Sequence, residues 1–533
     1  MDCNSSSISY AGTGSFTKII LDYLADSQEL SPFYAHRPDK KGIDGAIKNR
    51  TKFPTDRRLI HKVLRAQYAG LSAAKAVDEN IEKLLDENTF TIVTAHQPAI
   101  FTGPLYFIYK ILHTVRLANE LNAEKKGMHF VPVFYMGSED ADLEELGKFY
   151  LGADKIVWPT TQTGAVGRMN TKGLDKLISR VEGELSVKPF GKELVSMLKA
   201  SYDGNDNIQQ ATFKFLHALF AEYGLIILIP DSADLKRAMI PVFTDELFNQ
   251  CSSAIVQETI EKLGTHYKVQ ASPREINLFY LKDDNRERIE KKEDRWIVVN
   301  RDISFSADEL KAELDAYPER FSPNVILRGL FQETVLPNIV FIGGGGELAY
   351  WLELKSLFEN YQTPFPVLVL RNSFLLVEDK YSERISKLSL DVKDFFQNAN
   401  VILTSVVKRK MNGSLELQDE VTEVGNMYAQ LRKKAEKIDK SLTRHISALE
   451  VKTLKPLKEL EKKMLRAEKR KYEDQHRQIQ AVRTALFPSD SLQERIESFM
   501  PWYAQHGRAF LDCILQNSPA LTDGFVILET RKS

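Results

Sequence analysis

His96 and Gln97 are the first residues whose types and setting could do chemistry. They stand in Thr94-Ala95-His96-Gln97-Pro98-Ala99-Ile100-Phe101-Thr102-Gly103-Pro104-Leu105, between a β-branched run and an apolar helical pattern. A turn leaving the carboxyl end of a parallel strand is where such sheets bind ligands, and the next helix offers unpaired N–H groups to an anion. His96 and Gln97 would neutralise charge on a leaving phosphate there. Gly103 permits close backbone approach, and Pro104 suits a first helical turn. A plainer reading makes His96 a strand cap bonded to backbone, and spacing alone leaves the two level.

Three further clusters follow apolar runs in the same way. Gly137-Ser138-Glu139-Asp140-Ala141-Asp142 puts three carboxylates at a helix start, where the helix dipole favours them without any function. The functional alternative is that Glu139 or Asp142 holds a substrate ammonium. Gly343, Gly344, Gly345 and Gly346 precede Glu347 and Tyr350-Trp351. Four glycines cost more backbone entropy than a turn requires, so they point to a ligand lying against amides. The dinucleotide fingerprint and the P-loop spacing are both absent. Arg371-Asn372-Ser373 comes last, and Arg371 suits either a structural ion pair or a substrate carboxylate or phosphate.

These clusters need a scaffold that brings strand tips together. Phe90–Thr94, Phe130–Tyr135, Leu225–Ile229, Ile339–Ile342 and Val367–Leu370 are short continuous apolar runs. Helical patterns follow them, as in Leu105–Leu121 and in the acidic start Ser138–Glu145. This predicts a doubly wound α/β core with a parallel sheet. The first 88 residues read as mostly helical, as in Leu59–Leu85. Thr160–Ala221 (polar, helical) and Lys268–Asn300 (strands with a turn at Asp283-Asp284-Asn285) look like insertions.

Gly425–Arg483 is different: Lys and Arg outnumber Asp and Glu, and its first residue is its only glycine. Leu431, Ala435, Ile438, Leu442, His445 and Leu449 trace a coiled-coil seam. Pro456 marks the predicted break between two antiparallel helices. Tyr472 is the only aromatic after Tyr428 in the stretch, which disfavours RNA and favours a solvated or self-associating surface. A further helix is predicted from Leu492 to about Leu515. The domains expected are a core over 1–372, a helical domain over 373–516 with its hairpin near 425–485, and a tail over 517–533 returning to the core.

With 533 residues the chain exceeds a single hydrophobic core, and a net charge of −1 offers no general attraction for nucleic acid. Cys3, Cys251 and Cys513 form no CxxC pair, which excludes a disulfide framework and a thiolate-rich zinc site. Cys251 and Cys513 read as inert thiols. No signal-peptide pattern and no stretch of about 18 apolar residues is found, so a reducing cytoplasm is expected, without a membrane partner.

Taken in order, these segments resemble the bacillithiol biosynthesis cysteine-adding enzymes over nearly the whole chain. The resemblance rests on His96-Gln97…Phe101-Thr102-Gly103-Pro104-Leu105-Tyr106…Tyr109-Lys110, Ser138–Asp142…Glu144-Glu145, Gly343–Glu347…Tyr350-Trp351, Arg371-Asn372-Ser373, Leu465–Lys471 and Leu486-Phe487-Pro488…Leu492–Arg495. It implies a Rossmann-like nucleotidyl-transferase core with two connecting insertions, architecturally akin to class I aminoacyl-tRNA synthetases, plus an α-helical coiled-coil domain that dimerises. The implied reaction is a ligation of cysteine to the amine of glucosaminyl malate, through an ATP-derived cysteinyl-adenylate, with ATP or ADP as nucleotide. No metal site is implied beyond magnesium accompanying that nucleotide.

Under this resemblance His96, Gln97, Glu139 and Asp142 are the catalytic candidates, and Gly103 and Gly343–Gly346 line the nucleotide side. Glu347, Tyr350, Arg371 and Ser373 face the substrates. The chain departs from adenylate-forming relatives in lacking the second half of a His-x-Gly-His signature and any Lys-Met-Ser-Lys-Ser segment. Ala141 replaces a more usual His, and Ala95-His96 a common Gly-Gln. The rival expectation is a non-catalytic binding protein on a synthetase-like core, with the basic arm as scaffold or RNA clamp.

Overall fold

The computed structural model describes residues 1–72, 74–204, 207–411, 417–521 and 524–531. The five apolar runs form one parallel sheet. Its strands are β1 (Thr89–His96), β2 (His129–Met136), β3 (Ile226–Leu228), β4 (Asn338–Gly343) and β5 (Val367–Leu370), in the order β5-β4-β1-β2-β3. Their residues are buried on both faces, which is why they read as continuous apolar runs. Helix α1 (Tyr106–Glu124) returns from β1 and is buried along most of its circumference. Helices α2 (Val325–Val335) and α3 (Gly345–Leu352) flank β4.

The register sets where the loops leave. His96 lies opposite Met136, Thr94 opposite Ile342 and Gly343 opposite Leu370. The carboxyl ends of β1, β2, β4 and β5 are therefore level, and the four sequence clusters emerge along one edge.

Packing divides the chain into two units, Met1–Leu376 with Ser491–Ser533, and Val377–Asp490. The segment 491–516, expected with the helical domain, packs in the first unit. In that unit Cys3–Ile8 is a strand, antiparallel to Phe525–Thr530 near the other end of the chain, within a stretch expected to be mostly helical. The same closure sets the Cys513 thiol against Cys3. Helices Leu174–Leu185, Gly191–Tyr202 and Ile208–Phe220 of the first insertion bury their apolar faces in the core cluster that includes α1. The second insertion supplies Leu278–Lys282, Asn285–Lys292 and Arg295–Val298 to a five-stranded antiparallel sheet, turning at Asp283 with φ +53°.

Two local expectations in this unit need correction. The acidic helix near Ser138–Glu145 shrinks to Leu143–Leu146, and a hairpin of Lys148–Leu151 with Asp154–Val157 follows. The helix predicted from Leu492 divides into Met500–His506 and Arg508–Asn517. Gly507 between them has φ +60°, and a Cβ there would lie 2.7 Å from the Phe190 ring.

In the second unit the hairpin turn lies at 437–441, between helices Gln418–Glu436 and Leu442–Lys469, so Pro456 is inside a helix. Tyr428 bonds Thr453 at 2.7 Å and Arg432 pairs with Glu450 at 2.9 Å, so the helices run antiparallel about the earlier turn. Asp439 accepts the Ser441 N–H in that turn. Of the predicted seam Ala435 is buried, while Ile438 is 81% exposed.

Candidate functional site

The level strand tips enclose a cavity of about 970 Å³ in the first unit. His96, Gln97, Asp142, Gly344, Gly345, Gly346, Glu347, Tyr350 and Arg371 all line it. Four predicted residues lie outside the lining: Gly103, Glu139, Gly343 and Ser373. Gly103 has φ +60° and shapes the turn after β1. Gly343 ends β4 with no room for a side chain, because a Cβ would fall 2.7 Å from Phe341 and 2.8 Å from Leu348.

His96 donates from Nδ1 to the Gln97 carbonyl at 2.9 Å, since a carbonyl can only accept. Its Nε2 therefore accepts from the Tyr106 hydroxyl at 3.2 Å. Both readings of this histidine meet: it is held by backbone, and it lines the cavity. Burial, aided by the Lys110 charge, lowers its pKa to about 4, so the ring is neutral at pH 7. His113 on α1 is fixed similarly, accepting the Asn372 N–H and bonding the Ala520 carbonyl, and burial brings it also to about 4.

Unfolded histidine titrates near 6.5, so between pH 6.5 and 4 the unfolded chain binds more protons than the folded one. The stability these two rings supply is complete above pH 6.5 and is lost as pH falls to 4, on the order of 3 kcal/mol for each. Urea midpoints should fall across that window, and His113→Gln should flatten the fall. Identical pH slopes for the two proteins would contradict this.

Glu347 on α3 faces the cavity with its side chain 26% exposed. Lys110 Nζ donates to both of its oxygens, at 2.9 and 2.7 Å, and the Gly344 N–H donates at 2.7 Å. Burial works to raise the carboxyl's pKa, but Lys110 and the amide overcome it and hold it below the usual range. Lys110 was missed as a site residue. Its signal is a lone cation inside the apolar run Phe107-Ile108-Tyr109-Lys110-Ile111-Leu112.

Arg371 is already paired. Glu494, fully buried, accepts from its Nη2 at 2.7 Å and its Nη1 at 3.0 Å, and Ser373 Oγ also bonds that carboxylate. Arg371 thus forms an ion pair and lines the cavity as well, whereas Ser373 belongs to the pair and lies outside the lining. Glu494 lies more than a hundred residues downstream, and no local signal connects it with Arg371.

Glu139 is likewise engaged, bonded to buried Lys236 and to the Ser322 hydroxyl, so it is not placed to hold a substrate ammonium. Its neighbour Asp140 lines the cavity instead, gripped by both terminal nitrogens of Arg328 on α2 and by Gln97 Nε2 at 2.9 Å. Asp142 lines the cavity while its Oδ1 caps Leu143–Leu146 by accepting the Glu145 N–H at 3.1 Å.

The glycines at the start of α3 are not explained by backbone conformation or by packing alone. None of Gly343–Gly346 has a positive φ, so conformational freedom is not their purpose. A Cβ at Gly346 would meet nothing within 4 Å, so packing does not demand glycine there. Gly344, Gly345 and Gly346 line the cavity at the start of this helix, with the Gly344 N–H donated to Glu347.

Residues 1–372 match the family described as "Bacillithiol biosynthesis BshC, N-terminal Rossmann-like domain", and residues 374–530 match "Bacillithiol biosynthesis BshC, C-terminal coiled-coil domain". The chain belongs to the BshC family. Similar curated relatives share the name "Putative cysteine ligase BshC". The one from Flavobacterium johnsoniae is 40% identical over 523 residues, covering 98% of this chain and 99% of its own. That of Cytophaga hutchinsonii is 39% identical, covering 91% of each chain. That of Bacillus cereus is 25% identical, covering 94% and 96%. The BshC domain boundary falls in Arg371-Asn372-Ser373, whereas by packing the chain re-enters the first unit at Ser491.

Proposed function

We propose that this chain is a cysteine ligase that completes bacillithiol by joining the cysteine carboxyl carbon to the amine of glucosaminyl malate. The observation that carries the reading is Glu347: a carboxylate kept ionised by Lys110 and Gly344, facing the cavity from the first turn of α3. A fixed anion is what recognition of the cysteine ammonium needs. Neutral His96 fixes the Tyr106 hydroxyl through Nε2, leaving that oxygen to accept from the attacking amine, rather than storing a proton. Asp142 is the carboxylate that takes the proton the amine releases on forming the amide.

ATP is the proposed source of activation, because a free carboxylate is a poor acyl donor. The cysteine carboxylate would displace pyrophosphate from the α-phosphate, and the amine would then displace AMP from the cysteinyl-adenylate. The amides of Gly345 and Gly346 would hold the phosphates. The proposed setting is the cytoplasm; among the described residues no helix is long and apolar enough to cross a membrane. The proposed oligomer is a homodimer through the helical hairpin, supported by the partly exposed Leu431, Leu442 and Leu449.

Purified protein given cysteine, ATP and glucosaminyl malate should release the thiol product, read by mass. Cells deleted for the gene should lose bacillithiol. A deletion strain with its normal bacillithiol content refutes the role.

A further inference from the structure

Arg286 reaches the cavity from Asn285–Lys292 in the inserted sheet. Its side chain is 8% exposed, and its guanidinium lies over the Phe279 ring, 3.9 Å from the centroid. Nε donates to Ser322 Oγ at 3.3 Å, the one hydrogen bond of this guanidinium among the described residues. Nη2 is fully buried without a hydrogen bond, 3.6 Å from Asp140 Oδ1. That carboxylate is already spent on Arg328 and Gln97.

Arg286 stands at the end of a chain of ion pairs in which Arg328, Lys236 and Arg168 already engage Asp140, Glu139 and Asp231 at closer range. Glu139 accepts from Ser322, the group that holds Arg286 Nε, so the acidic residue once suspected of binding substrate anchors this arginine. A desolvated guanidinium with idle donors, fixed by stacking and an anchor beside a cavity, is built to receive an anion.

We propose that Arg286 is the anion-recognising residue of the cavity, and that an oxyanion group of a substrate docks on its terminal N–H groups. The role given to Arg371 on sequence grounds thus passes to a residue of the second insertion. The identity of the substrate rests on the ligase reading, but the site does not. Two sources share the chemistry: the carboxylates of glucosaminyl malate and the phosphates of the nucleotide.

The test compares the full chain with Arg286→Met, which keeps the stem on Phe279, and with Arg286→Lys, which keeps the charge without the fork. Without anion, Arg286→Met should melt at or above the wild-type temperature, since it removes an uncompensated buried cation. In calorimetric titrations, glucosaminyl malate should bind Arg286→Met roughly 10- to 100-fold more weakly, with Arg286→Lys between. Methyl glucosaminide, which has the amine but no carboxylate, should bind both alike. If ADP weakens instead and glucosaminyl malate does not, the anion is the nucleotide's phosphate.

Equal binding of both anions by the two proteins, or an equal loss for methyl glucosaminide, overturns the proposal. Malate alone and pyrophosphate alone decide the case if the protein makes no thiol product. Thermal protection of wild type but not of Arg286→Met upholds the anion site while the ligase reading fails. Equal protection, including none, overturns the site.

Discussion

Glu494→Gln should lower the unfolding free energy by about 3–5 kcal/mol, because it leaves Arg371 buried without its counter-charge. Glu494 is fully buried, and its oxygens accept from both Arg371 terminal nitrogens, from Ser373 Oγ at 3.2 Å and from the Phe374 N–H at 3.3 Å. Glutamine keeps the shape but turns one acceptor into a donor that faces other donors. Urea unfolding at pH 7 measures the cost. Arg371→Met with Glu494→Met should cost less than Glu494→Gln alone, since removing both charges leaves nothing unpaired. A single-variant cost below about 1 kcal/mol would mean that Arg371 is not neutralised by Glu494, and would return it to the substrate.

That ion pair marks the limit of what local sequence shows. The sheet was legible because each strand is buried on both faces and so forms an unbroken apolar run. Its edge was legible because His96, the glycines and Arg371 each follow such a run. Partnerships across the chain were not. Nothing near Arg371 announces Glu494, nothing near Glu139 announces Lys236, and Asp140 is distinguished from its acidic neighbours only by Arg328 and Gln97 in space. Pro456 misled because a proline's local cost was weighed without the cross-helix pairs, Tyr428 with Thr453 and Arg432 with Glu450, that fix the turn elsewhere.

The insertions were legible as segments but not as parts of the site. Read in sequence, Lys268–Asn300 is a hairpin between core strands; folded, it carries Phe279 and Arg286 to the cavity that the strand tips open. The tips supply fixed backbone amides and a carboxylate, while the insertion supplies a cation. One cavity thereby brings together Glu347, the residue proposed for an ammonium, and Arg286, the residue proposed for an anion. A ligase for an amino acid and an anionic amine needs both, and neither half of the chain pattern provides them alone.

Glu347→Gln should cut kcat/KM for cysteine on the order of 100-fold, the scale of truncating one member of a buried hydrogen-bonded charge pair. The loss should lie mainly in the KM for cysteine, with that for glucosaminyl malate little changed, because Glu347 is assigned to the cysteine ammonium. A second effect is mixed in: the variant strands Lys110, whose side chain is 1% exposed and whose Nζ otherwise meets Glu347 and the Ala95 carbonyl. Adding Lys110→Met to Glu347→Gln should recover much of the lost stability without recovering activity, since the cation is gone but the anion is still missing. Thermal melts and steady-state kinetics on the wild type, Glu347→Gln and the double variant separate the two effects. If the double variant regains turnover with cysteine, the carboxylate serves only to neutralise Lys110, and the cysteine ammonium is held elsewhere in the cavity.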